Sequence, residues 1–68
     1  MNYEIVVLGH IDKRRFRGLA EIELEFLPGG ETKITCQEFD QASLHAIINR
    51  IYELGLNLQV VKRVAPEK

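Results

Sequence analysis

The stretch GHIDKRRFRGLA, residues 9–20, lies between two segments that read as strands, and whether it folds as a helix or a loop decides the architecture. Asp12 can cap a helix there, and Phe16, Leu19 and Ala20 fall at i, i+3 and i+4, which predicts two helical turns with an apolar stripe on the core. Gly18 weakens that helix. The alternative is a long hairpin loop, with three strands in succession before the next helix. The same stretch carries Lys13, Arg14, Arg15 and Arg17 in a chain whose formal net charge is only -1. Cations in a first helical turn oppose the macrodipole, so the run is either solvated surface or a site for an anion.

The flanking segments are read more directly. YEIVVLGHI, residues 3–11, is rich in β-branched residues and apolar on both faces, with Ile5, Val7 and Ile11 on one parity and Val6 and Leu8 on the other. Such a strand belongs in the middle of a sheet. EIELEFL, residues 21–27, alternates strictly, so Ile22, Leu24 and Phe26 face the core and three glutamates face water. Pro28, Gly29 and Gly30 supply a turn, and ETKITCQ returns with Ile34 and Cys36 inward and Lys33 facing a glutamate across the hairpin. DQASLHAIINRIYELG predicts a helix capped by Asp40, with Leu44, Ile47, Ile48, Ile51 and Leu54 at helical spacing and Gly55 at C′. Residues 56–64 form a last strand with Leu56, Leu58 and Val60 inward, and residues 65–68 are a frayed tail. The expected core is Ile5, Val7, Ile22, Leu24, Ile34, Cys36, Leu44, Ile47, Ile48, Ile51, Leu58 and Val60.

The resulting class is α+β. The order βαββαβ is that of a ferredoxin-like sandwich, a single domain over residues 1–68 with an antiparallel sheet in the order 4-1-3-2 and a shortened first helix; βββαβ is the alternative. YEIVVLGHID, FLPGGET and DQASLHAIINRIYELGLNLQVVKRV also resemble the shared pattern of an uncharacterised family of small bacterial proteins of about this length, summarised in the second half as DQxxLHxxxxRIxxLGLxLxxVxRV. The resemblance covers residues 3–64. It implies length and fold, and no activity. Over residues 14–20 this chain carries arginines where that family tends to carry aromatics, so the first helix is not supported by the resemblance.

Composition narrows the classes of function. A domain this small buries only about 60% of its unfolded surface, and small chains usually add disulfides, a metal or a partner subunit. Cys36 is the single cysteine, and neither His10 nor His45 has a ligand companion at metal spacing. A partner subunit remains, so a homodimer is expected. The N-terminus lacks the basic start and cleavage site of a signal peptide and the apolar runs are short, so a cytoplasmic protein without a membrane anchor is expected. The near-neutral balance argues against bulk nucleic-acid binding.

No catalytic, cofactor or metal residue is expected. VVLGHIDKRRFRG has a spacing similar to the phosphate-binding loop of acylphosphatases, which would give Arg17 the role of the anion-binding arginine. The departures are large: Lys13 and Arg15 replace loop glycines, and Phe26 stands where that family's catalytic asparagine would. An anion or nucleic-acid site at Lys13, Arg14, Arg15 and Arg17 without hydrolysis is the second reading. Base stacking on the sheet is disfavoured, because the outward residues Glu4, Val6, Leu8, His10, Lys33, Thr35 and Gln37 include no aromatic ring and adjoin the glutamates of strand two. His10, His45 and Cys36 are read as structural or surface residues. The first reading is a non-enzymatic interaction or regulatory module of unknown protein partner. It dimerises through the open sheet face at Val6, Leu8 and Val61, with Glu4 and Arg63 near the stripe's end.

Overall fold

The structure is a computed structural model and describes residues 2–16, 18 and 22–65. The order is strand β1 (Asn2–Leu8), a single 3₁₀ turn (Lys13–Phe16), β2 (Ile22–Leu27), β3 (Glu31–Cys36), helix α1 (Gln41–Glu53) and β4 (Asn57–Val64). The strands form one antiparallel sheet ordered β2-β3-β1-β4, the expected 4-1-3-2 read from its other edge. The ferredoxin-like expectation holds for the sheet and not for the helical layer. Among the described residues α1 is the one α-helix.

Helix α1 follows from its sequence. The Asp40 carboxylate accepts the Ser43 N–H at 2.7 Å and so satisfies one of the free donors of the first turn. At the other end Gly55 takes φ +73°, and the Leu56 N–H returns to the Ile51 carbonyl at 3.1 Å. Ile47 and Ile51 are fully buried against the sheet, with Leu44, Ile48 and Leu54 packed at the margin. The β2–β3 hairpin turns through Gly29 and Gly30, both at positive φ, and Lys33 pairs with Glu25 directly across it at 3.5 Å.

Among the described residues of the predicted first helix there is one 3₁₀ turn, Lys13–Phe16. The Asp12 carbonyl accepts the Arg15 N–H at 2.9 Å while the Asp12 carboxylate accepts the Arg14 N–H at 3.0 Å. That contact is of the kind that caps a helix start, so the stop lies further along the chain. Gly18, at φ +86°, cannot continue a right-handed helix. Phe16 nevertheless reaches the core, where it is 1% exposed. Leu19, Ala20 and Arg17 lie outside the described residues, as do residues 66–68 of the expected tail.

The second correction concerns β4. Val60 pairs with Val6 but Leu58 pairs with Val7, so the ladder slips by one residue at a bulge that contains Gln59. Alternation therefore inverts beyond the bulge. Leu58 points to the core as expected, whereas Val60 lies on the open face, 44% exposed, and Val61 sits across from Ile5 on the helix side. The core also takes in Ile11, Phe39 and the hydroxyl-bearing Thr32, while Leu24, Leu44, Ile48 and Leu58 are half-buried. Thr32 is tolerated there because its Oγ1 donates to the Gly9 carbonyl at 2.7 Å.

Candidate interaction surface

The face of the sheet away from α1 is set by the register. Across it run three rows: Lys62, Glu4, Thr35 and Glu23; then Val60, Val6, Lys33 and Glu25; then Asn57, Leu8, Glu31 and Leu27. Residues directly opposite one another share a face, so Val6, Leu8 and Val60 form an apolar patch on the neighbouring strands β1 and β4. Leu8 and Val60 are each 44% exposed and Val6 is half-buried. The half towards β2 is charged, with Glu25 and Lys33 paired at 3.5 Å, and Glu4 meets Lys62 at 3.9 Å beside the patch. A depression of about 310 Å³ lies beyond the patch, lined by Asn2, Glu4, Thr35, Gln37 and Val64 among others.

Two of the residues expected in this surface stand elsewhere. Val61 and Arg63 are opposite Ile5 and Tyr3 on the helix side, and their places on the open face are taken by Val60 and Lys62. The cause is the bulge, which alternation alone cannot reveal. Val6, Leu8 and Glu4 are where the sequence places them.

The basic segment is less of a site than its composition suggests. The Asp12 carboxylate holds the Arg14 guanidinium through Nε at 3.1 Å and Nη2 at 2.8 Å, both groups exposed to solvent. That pairing and the Arg14 N–H lower the Asp12 carboxyl from 3.8 to about 2. Arg50 of α1, which also pairs with Glu53 at 3.2 Å, donates through Nη1 to the Arg15 carbonyl and ties the turn to the helix. Lys13 and Arg15 present exposed side chains, and Arg17 lies outside the described residues.

Gly9 at φ +124° reverses the strand's alternation, so His10 leaves the open face and stacks on Phe26, ring centroids 5.1 Å apart and planes 19° from parallel. His45 is exposed on α1. Cys36 is fully buried and desolvation pushes its thiol up to about 11, which leaves little thiolate near neutrality. Among the described residues no three His, Cys, Asp or Glu side chains stand together, and no helix is long and apolar enough to cross a membrane.

Sequence reasoning missed Phe39, although a signal was present: it precedes the Asp40 cap and stands at staple spacing from Leu44. No curated protein and no solved structure matches the chain. A family model matches residues 2–62, nearly its whole length, and the chain therefore belongs to the family described as "Domain of unknown function (DUF8691)".

Proposed function

We propose that this protein is a small non-enzymatic interaction module that forms a homodimer through Val6, Leu8 and Val60 on the open face of its sheet. One observation carries the reading: three apolar side chains adjoin on a sheet face that no helix covers among the described residues. The ion pairs Glu4–Lys62 and Glu25–Lys33 flank that patch already neutralised, so docking over it strands fewer charges. A cytoplasmic setting, with Cys36 reduced, accords with this role. The anion-binding alternative is weakened because Asp12 already occupies Arg14. An acylphosphatase-like reaction has no amide at Phe26 to orient water.

Light scattering at low protein concentration tests the proposal. Wild type should have the mass of a dimer and Leu8→Asp that of a monomer, because an unpaired carboxylate in a dry contact is costly to desolvate. A wild-type monomer would remove the dimer. Binding of a short duplex, an RNA or a nucleotide with a steep salt slope would instead favour the basic segment.

A further inference from the structure

Five large apolar side chains stand exposed among the described residues: Leu8, Phe26, Tyr52, Val60 and Val61. Three of them, Phe26, Val60 and Val61, lie on the two edge strands, and the open-face contact leaves Phe26 and Val61 uncovered. We infer that edge β2 of one copy pairs with edge β4 of another, extending the sheet from molecule to molecule. This goes beyond the open-face dimer and uses a different surface.

Three observations select this occupant. The first is charge. The charged residues of β2 are Glu23 and Glu25, whereas those of β4 are Lys62 and Arg63. Pairing β2 with its own copy sets acid beside acid, and pairing β4 with itself sets base beside base. Only the mixed contact is complementary, and it sets Glu25 and Lys62, already paired within their own chains with Lys33 and Glu4, into one alternating row of charge. The second is direction: every neighbouring pair in the sheet is antiparallel, so β4 runs opposite to β2 and a second copy laid alongside in the same orientation continues the alternation.

The third is register. With Glu25 opposite Lys62 of the second copy, Phe26 meets Val61, Leu27 meets Val60, Leu24 meets Arg63 and Glu23 meets Val64. Every one of these pairs matches in face. Glu23, Glu25 and Leu27 share the open face with Val60, Lys62 and Val64, and Leu24 and Phe26 share the helix side with Val61 and Arg63. The pairing uses Val60–Val64, which lie on one side of the bulge, so its ladder is regular. It covers the half-exposed valines on both faces of β4 at once, which no contact with a single face can do.

Each copy keeps one free edge of each kind, so the contact is heterologous and grows beyond a pair. Five paired residues are far fewer than a standard interface involves; the contact is therefore weak, and trapping detects it better than mass at low concentration. Residues opposite one another in a ladder have Cα atoms within disulfide range, and Cys36 is buried. Glu25→Cys and Lys62→Cys chains, mixed and mildly oxidised, should yield a mixed disulfide dimer, each alone should yield none, and the double variant should yield a ladder of multimers. The same trapping should persist in Leu8→Asp chains. In a second test Glu25→Lys and Lys62→Glu should each lose concentration-dependent growth in mass, and an equimolar mixture should regain it. Absence of the mixed dimer, or equal cross-linking by either variant alone, overturns the edge pairing and leaves the open-face dimer standing; failure of Leu8→Asp to lower the mass does the reverse.

Discussion

The sheet is crossed twice, and the two crossings are built differently. Between β3 and β4 the chain lays down helix α1, capped at both ends and buried along one stripe. Between β1 and β2 the described residues form a single 3₁₀ turn that reaches the core through Phe16, beside the buried Ile11 of the same connection, and is tied outward by Asp12 to Arg14 and by the Arg15 carbonyl to Arg50. A helix distributes its anchorage over several residues, so each can be imperfect. A short turn rests on fewer side chains, here Phe16 and Ile11 among the described residues. A crossing can thus be made with little helix where large apolar groups such as Phe16 and Ile11 still reach the core.

Removing Phe16 should separate the two crossings most strongly. Phe16→Ala should cost about 3–5 kcal/mol and Ile47→Ala about 2–5 kcal/mol, against a total stability for a chain this small on the order of 3–10 kcal/mol. Both variants should lose a large share of their stability, read as a steep fall in denaturant midpoint. Ile48→Ala should cost less than Ile47→Ala, since Ile48 is only half-buried at the edge of the stripe. A Phe16→Ala protein with a midpoint near wild type would mean that the turn rides on the fold without supporting it.

The same contrast explains what the sequence disclosed. Strand β1, the hairpin and α1 were legible because each carries a repeated signal: apolar residues on both faces, strict alternation with Pro28-Gly29-Gly30, or a cap, a stripe and a C′ glycine. The sheet order followed from their sequence along the chain. The first helix misled because Asp12 reads equally as a helix cap and as the acceptor that closes a lone turn, and only the φ of Gly18 separates them. The candidate surface was half legible. Val6, Leu8 and Glu4 follow from alternation in β1, but the bulge at Gln59 moved Val60 and Lys62 into the places expected for Val61 and Arg63. A bulge is a property of two strands together, and neither strand announces it alone.

Acid sharpens the comparison at intermediate cost, because each crossing begins at an aspartate with a lowered pKa. The Ser43 N–H lowers that of Asp40, and Arg14 lowers that of Asp12 from 3.8 to about 2. A carboxyl depressed by folding contributes stability that is fully present above its unfolded value, near 4, and is lost as pH falls through its folded value. Both contributions should therefore be intact at neutral pH, with that of Asp12 fading between about pH 4 and 2. Asp40→Ala should lower the thermal midpoint at pH 7 and reduce helical ellipticity. Asp40→Asn should keep most of the cap while removing its pH dependence. Asp12→Asn should leave the helical signal untouched. If Asp12→Asn instead reduces ellipticity as much as Asp40→Ala, the first crossing contains more helix than one turn.

The smallest effect belongs to the basic run itself. Replacing Lys13, Arg14 and Arg15 together by glutamine should leave the denaturation midpoint at neutral pH within error of wild type. No helix dipole is relieved, since the 3₁₀ turn spans only Lys13–Phe16, and the Arg14–Asp12 pair lies in solvent, where such pairs contribute little. The Arg15 contact that matters is made by its carbonyl, which the substitution leaves in place. One quantity should still move. Without the Arg14 guanidinium the Asp12 carboxyl should rise from about 2 towards its ordinary 3.8, a change that an NMR titration of its side-chain carbon reads directly. A raised Asp12 pKa with an unchanged midpoint would show the charges to be surface chemistry around a turn held by Phe16. A clear loss of stability would show instead that these side chains help to hold the crossing.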